Sequence, residues 1–309
     1  MVPAMYPVLF EIPGLGFPLR SFGVMLALAF LAGVHLAGRF SRRFGDDPQE
    51  DEARLSQVGV AVLIGIVLGA RLFYVVVEVL RYLVAEDGSG MTGEKFLADP
   101  FSMLAVWEGG LVMYGGMFGA MLFGVVSARK QEMRPLCALD LGLAGGFFGQ
   151  AVGRVGCLLV GDDYGRVVPE AYADWPFPIT LTVPSREWLE ANPESLFEHH
   201  LAGQVLWATQ VWMCVNALLI GLFAYWHLRK RRYPGHTALW IVLLYAITRA
   251  TIEGFRGDAI RGVWVGGLST SQLISAVGGL IALALLWRNR GRSESMPDAA
   301  RSAAAGTPS

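Results

Sequence analysis

Gly145–Gly165 reads GGFFGQAVGRVGCLLVGDDYG, an apolar, glycine-rich run with Arg154 in its interior. Glycine normally weakens a helix. Inside a bilayer it lets another backbone, or a lipid headgroup, come close. An arginine at membrane depth costs about 2.5–3.5 kcal/mol on insertion scales. Such a residue marks either a functional site or a structural arginine paired with one carboxylate between helices. The segment alone leaves both open.

The rest of the chain sets the class. It has 309 residues, 54% hydrophobic and 17% charged, with a mean hydropathy of +0.45. Soluble domains carry roughly 25% charged residues. Several apolar runs are long enough to cross a hydrocarbon core. The expected fold is an all-α polytopic membrane protein. The net charge of −1 says nothing of nucleic acid, and no such partner is expected. Cys137, Cys157 and Cys214 lie in or beside apolar segments without paired spacing. Neither a disulfide framework nor a metal or cofactor is expected.

Residues 1–20 hold Pro3, Pro7, Pro13 and Pro18, with no basic leader region and no small-residue cleavage site. They read as an interfacial N-terminal arm. Seven spans follow, in a core over 21–290. They are expected at Ser21–Gly38, Leu55–Leu80, Leu104–Val126, Leu136–Val160, Val205–Leu228, His236–Phe255 and Thr270–Trp287. A polar excursion, Gly161–Gln204, has alternating stretches such as PITLTVP and reads as a small extramembrane head with some strand. Residues 291–309, rich in Ala, Ser, Gly and Pro, read as a disordered tail.

Basic clusters fall after the first, third, fifth and seventh spans: Arg39, Arg42 and Arg43; Arg129, Lys130 and Arg134; Arg229–Arg232; Arg288, Arg290 and Arg292. The positive-inside rule puts these ends in the cytoplasm. The amino terminus and the head are then outside. Arg154 lies six residues before the outward end of its span, roughly 9 Å below the surface at 1.5 Å per residue. Arg249 and Glu253 share a face near the outward end of the sixth span. Arg71 falls in the outer half of the second, with Glu108 and Tyr114 near the mouth of the third. Polar residues gathered at one depth suit an anionic headgroup in the outer leaflet. Two or more arginines against one carboxylate suit a phosphate. A receptor or transporter would instead place its cavity near the midplane.

Weaker signals accompany these. Paired glycines surround Tyr114, among them Gly115, and fit close helix packing. Gln210 and Gln272 are polar groups in apolar helices, either interhelical glue or headgroup ligands. His199 and His200 read as head surface.

GRVGCLLVGDDYG (Gly153–Gly165) resembles the signature of the phosphatidylglycerol–prolipoprotein diacylglyceryl transferases. The resemblance runs on through LRSFGVM (Leu19–Met25), GARLFYV (Gly69–Val75), WEGGLVMYGG (Trp107–Gly116), RATIEGFRGD (Arg249–Asp258) and GLSTSQLIS (Gly267–Ser275). Order and spacing agree over roughly residues 5–290. The chain departs from the family where Phe22 replaces a tyrosine, Tyr114 a histidine and Cys157 an asparagine. The fifth-span motif His-Pro-x-Gln-x-Tyr-Glu is here Trp207–Met213, keeping Thr209-Gln210.

The resemblance implies a bacterial inner-membrane enzyme. It would transfer the diacylglyceryl group of phosphatidylglycerol to the lipobox cysteine thiol of a prolipoprotein, recognised with its signal peptide, and release glycerol-1-phosphate. Arg154, Arg249, Glu253 and Tyr114 are the implied catalytic residues. Arg154, Arg71, Gly156, Gly165, Gln272, Gln210 and Gly115 are the implied substrate contacts. Neither cofactor nor metal is required. The alternative is a weakened or silent paralogue that binds phospholipid or signal peptide. The basic clusters make the topology testable. A reporter active only in the periplasm, fused after Arg292, should be silent, and activity there would reverse the orientation.

Overall fold

The computed structural model of the chain describes residues 5–12, 17–85, 91–106, 109–257 and 269–294. Trp107, Glu108, Asp258, Gly267, Leu268 and the tail beyond Glu294, all part of the sequence reading, lie outside the described residues. The chain divides into two compact units, Asp47–Ala138 and the two flanking stretches together. The sequence reading did not separate them.

The inserted unit is built on α2 (Asp51–Val84) and α4 (Met113–Lys130), with α3 (Thr92–Ala98) and a 3₁₀ turn at Pro100–Leu104 between them. Its helix pair meets glycine to glycine. Gly65 and Gly69 of α2 face Gly115 and Gly119 of α4, each pair in a small-xxx-small spacing. A Cβ added to Gly119 would lie 1.9 Å from the Gly65 carbonyl oxygen, and one on Gly69 would lie 2.3 Å from that of Gly115. The third span was expected from Leu104, but its helix begins at Met113. Gly109 and Gly110, both at positive φ, hold the chain in loop conformation just before it.

The larger unit begins with a hairpin, β1 (Val8–Ile12) against β2 (Phe17–Arg20), which leads into α1 (Ser21–Phe44). The N-terminal arm is thus a short β ladder. Then come α5 (Pro135–Val160), α7 (Thr209–Leu228), α8 (His236–Glu253) and α9 (Thr270–Arg288). Between α5 and α7 lies the head, with β3 (Thr180–Thr182), α6 (Arg186–Ala191) and β4 (Val205–Trp207). Val205–Trp207, expected to open the fifth span, pairs with β3 in the register Leu181↔Leu206. Two β-branched residues of β3, Thr180 and Thr182, suit that extended pairing. Met5, Tyr164, Leu181, Val183, Leu189, Phe197, Leu201, Leu206 and Ala208 give the head its own buried core.

Two of the signature glycines serve close helix packing. Another backbone comes close to Gly145 and Gly149, while Gly153 and Gly156 meet side chains and Gly146 meets nothing within 4 Å. A Cβ on Gly145 would lie 2.5 Å from the Gly33 carbonyl oxygen of α1, and one on Gly149 would lie 2.3 Å from that of Ala29. Toward its start, α5 carries Asp140, wholly buried. Its carboxylate accepts from the amides of Gly235 (2.9 Å) and Ala238 (2.7 Å), capping α8 from a neighbouring helix. Arg231 lies 3.5 Å from the same carboxylate and donates to the Phe44 carbonyl. Arg231 is therefore an interior strut, not one of the surface charges in its cluster. The start of the tail is also tied down, since the Glu294 amide donates to the Arg232 carbonyl at 2.8 Å.

Five helices, α1, α2, α5, α7 and α9, are long and apolar enough to cross a membrane. The other two expected spans are helices of 18 residues. Their charge, Arg129 and Lys130 at the end of α4 and Arg249 with Glu253 in α8, keeps them below that standard of composition. The glycine contacts predict a contrast. Gly119→Val should lower the melting temperature in detergent, since overpacking costs about 1–3 kcal/mol. Gly142→Ala meets nothing within 4 Å and should not lower it; equal melting of the two variants would rule out the backbone contact.

Candidate functional site

Where α5 ends, the chain turns sharply. Gly161 and Asp163 both take positive φ, at 76° and 55°. Asp163 is thereby placed in the left-handed region, which acidic and amide residues tolerate better than most. Its backbone is held on both sides. The amide donates to Asp162 Oδ1 at 2.8 Å, and the carbonyl accepts from Thr209 Oγ1, the first residue of α7, at 2.8 Å.

The segment that follows stitches three parts of the unit together. Gly165 N donates to the Trp207 carbonyl at 3.1 Å, and Val168 N to that of Val205 at 2.9 Å. On the other edge, Arg166 N donates to the Phe255 carbonyl at 2.8 Å, and Gly257 N to that of Tyr164 at 3.1 Å. A Cβ on Gly165 would lie 2.4 Å from the Trp207 carbonyl oxygen. Gly165 is required for this lattice, which brings the end of α8 to the end of α5.

The lattice assembles a chain of ion pairs. One carboxylate oxygen of Asp163 takes Arg154 Nη1, and the other takes Arg256 Nη2. Arg256 Nε lies 3.9 Å from Glu253 Oε2. Glu253 pairs in turn with Arg249, whose other nitrogen donates to Ser271 Oγ of α9 at 3.3 Å. Among the described residues, this chain sets three guanidiniums against two carboxylates. Glu253 is almost wholly buried, but the side chains of Arg154 and Asp163 keep 18% and 20% of their surface, so a ligand can reach them. Burial would push the Asp163 carboxyl up. Arg154 and Arg256 outweigh it and hold the group below the ordinary carboxylate range. The pairing therefore stands at neutral pH and is lost only as pH falls through that lowered value.

The structure brings together Arg154, Arg249 and Glu253, three of the residues singled out in the sequence. It adds Asp163 and Arg256, which that reading passed over although both lie inside quoted motifs. Asp163 follows the signature glycine, and Arg256 lies three residues after Glu253. Cys157 is buried, with its sulfur 3.7 Å from Arg154 Nη1. Cys157, Asp162 and Asp163 bring a thiol and two carboxylates within 4.8 Å of one another. Two guanidiniums on Asp163 make this a poor place for a cation.

The other expected contacts have varied surroundings. Gly156 packs on Met25 of α1, where a Cβ would lie 2.9 Å from the methionine Cβ. Gln272 closes a capping box with Ser269 at the start of α9 and reaches the Ala250 carbonyl at 3.5 Å. Gln210 is fully buried, and neither polar atom of its side chain has a partner among the described residues.

Arg71, Tyr114 and Gly115 belong to the inserted unit. Arg71 donates to the carbonyls of Met103 (2.8 Å), Ser102 (2.8 Å) and Gly109 (2.6 Å), and lies over the rings of Tyr74 and Phe96. It shapes the segment leading to Tyr114, and a headgroup contact there would have to displace carbonyls. Tyr114 is half-buried in the first turn of α4. Gly115 packs on Gly69.

Such a molecule is a helical membrane protein with a chain of arginine–carboxylate pairs beside a small folded head. Residues 7–288 match the family model for prolipoprotein diacylglyceryl transferase. The phosphatidylglycerol–prolipoprotein diacylglyceryl transferase of Geobacter sulfurreducens is 30% identical over 275 residues, covering 88% of this chain and 91% of that one. Its counterpart in Clostridium tetani is 28% identical over 271 residues, with 88% and 92% covered. That of Pasteurella multocida is 30% identical over 275 residues, with 88% of each covered. The chain belongs to the prolipoprotein diacylglyceryl transferase family, as its motifs implied.

If the ion-pair chain is the working site, Arg256 matters as much as the two arginines read from sequence. Arg256→Ala, Arg154→Ala and Arg249→Ala should each lower thioether formation by about 100-fold or more, and Lys should rescue poorly. Near-normal turnover of folded Arg256→Ala would remove it from the site.

Proposed function

We infer that this chain transfers the diacylglyceryl group of phosphatidylglycerol to the lipobox cysteine thiol of a prolipoprotein, in the bacterial cytoplasmic membrane. The observation that carries the reading is the meeting of the two arginine-bearing motifs, Gly153–Gly165 and Arg249–Gly257, on one carboxylate. In the transfer, the sulfur attacks the glyceryl carbon, the carbon–oxygen bond to phosphate breaks, and glycerol-1-phosphate leaves. Negative charge grows on the departing phosphate. Arg154, Arg249 and Arg256 are preorganised donors for that charge. Glu253 orients Arg249. Gln210, with its buried unpartnered amide, is a contact for the headgroup.

Seven spans, with the arm and head in the periplasm and the tail in the cytoplasm, fit this chemistry. At 1.5 Å per residue, α4 and α8 are each about 27 Å long, near the roughly 30 Å of a hydrocarbon core. The charges of α8 are already paired with one another.

Cys157 is not the nucleophile of this reaction. An enzyme that alkylated its own Cys157 would hold a thioether, and a thiolate leaves an alkyl carbon very poorly. Covalent catalysis must replace one hard step by two easier ones, and here the second would be the harder. A silent lipid-binding paralogue is the second reading. It is favoured by the fifth-span departures, because Trp207 and Trp212 pack on each other and on Phe255. Reconstitution with phosphatidylglycerol and a lipobox peptide separates the two. The expected product is a diacylglyceryl thioether, formed at most of the wild-type rate by Cys157→Ala. No thioether from folded wild type would leave the binding role, and a lipid-modified Cys157 would overturn direct transfer.

A further inference from the structure

The arginines that would take the phosphate already hold an anion. Asp163 spans Arg154 and Arg256 with its two carboxylate oxygens. A phosphate would use the same two-oxygen geometry on the same guanidiniums. The residue is otherwise fixed, by Thr209 on its carbonyl and Asp162 on its amide. Its carboxylate can swing off the arginines while its backbone stays in place. The side chains of Arg154 and Asp163 both reach solvent, so the exchange needs no unfolding.

We propose that Asp163 is a built-in competitor for the phosphate seat, which yields to the phosphodiester substrate and helps expel the phosphomonoester product. This rests on the headgroup reading above. The physical reason is charge. Once displaced, the carboxylate remains a few ångströms away, beside Asp162. Its repulsion scales with the product of charges. A phosphodiester carries one negative charge. The departing monoester carries up to two near neutral pH, its second pKa being about 6. Asp163 therefore opposes the product more than the substrate. With Asp163 neutral, the seat would hold glycerol-1-phosphate longer and the product would inhibit.

Asparagine and glycine both tolerate the left-handed backbone of Asp163, so Asp163→Asn and Asp163→Gly remove the charge without forcing the turn. The measurement is calorimetric binding to the purified full chain, independent of turnover. The probes are glycerol-1-phosphate, a monoester, and glycerophosphoglycerol, a soluble diester. The variants are wild type, both Asp163 changes and Arg154→Ala. Both Asp163 variants should bind the monoester roughly tenfold tighter and gain less for the diester. A structural role for Asp163 would weaken both probes together. That result, or unchanged affinity, would overturn the proposal while leaving the headgroup site standing, provided Arg154→Ala abolishes binding. Binding that ignores Arg154, or none in any variant, would remove the seat and the headgroup reading with it.

Discussion

A guanidinium inside an apolar helix bundle has to be given fixed acceptors; Arg71 is given backbone carbonyls, whereas Arg154 is given an anion. In this chain it comes from Asp163, shared by Arg154 and Arg256. Losing one partner would leave a poorly solvated charge, which is costly in an apolar setting. Much of the local architecture serves that sharing. The left-handed turn after α5 aims the carboxylate back at Arg154. The lattice around Gly165 and Gly257 brings Arg256 to its other side. Thr209 pins the turn to the start of α7.

The second constraint is the absence of a hydrophobic drive between helices in lipid. Association then depends on how closely backbones approach. Both units solve this with glycine. In one, Gly65 and Gly69 meet Gly115 and Gly119; in the other, Gly145 and Gly149 lie on α1 at Ala29 and Gly33. The signature thus does two jobs on one helix. Its glycines seat α5 on α1, and its arginine, a turn beyond Gly149, pairs with Asp163. At the other end of the same helix Asp140 and Arg231 pair in the interior.

Class, family and helix positions were legible because they rest on composition, period and motif. α5 was expected from Leu136 to Val160 and is Pro135–Val160. α9 was expected from Thr270 to Trp287 and is Thr270–Arg288. The misjudged boundaries share a cause. Val205–Trp207 and Leu104–Val106 are apolar, and apolarity does not distinguish a span from a buried strand or loop. Of the site, Arg154, Arg249 and Glu253 stood out as charges in apolar helices. Asp163 did not, because it lies past the helix end, where an acid looks like ordinary loop. Its role depends on a positive φ and on contacts with residues more than 40 positions away. The carbonyl cage around Arg71 was hidden for the same reason, since backbone partners leave no pattern in a sequence.

The proton balance follows from these partners. Attack needs a thiolate, and a base strong enough to take the thiol proton is hard to find here. Glu253 is tied to Arg249 with Arg256 alongside, and the Asp163 carboxyl is held low by two arginines. The Asp163 carboxylate, so held, is a weak base. Trp207, Trp212 and Met213 stand where the family carries polar groups, and the two tryptophans are given over to aromatic packing with Phe255. The reaction, however, makes an acceptor of its own. On the proposed function, the thiol proton given up as sulfur attacks and the carbon–oxygen bond breaks in one step can end on the departing glycerol-1-phosphate, a monoester with a second pKa near 6. In that reading the one positive charge left by three guanidiniums against two carboxylates would stabilise the thiolate and the phosphate alike. On the proposed function, such a site needs its arginines held in place more than it needs a dedicated base, and holding them in place is what the ion-pair chain does.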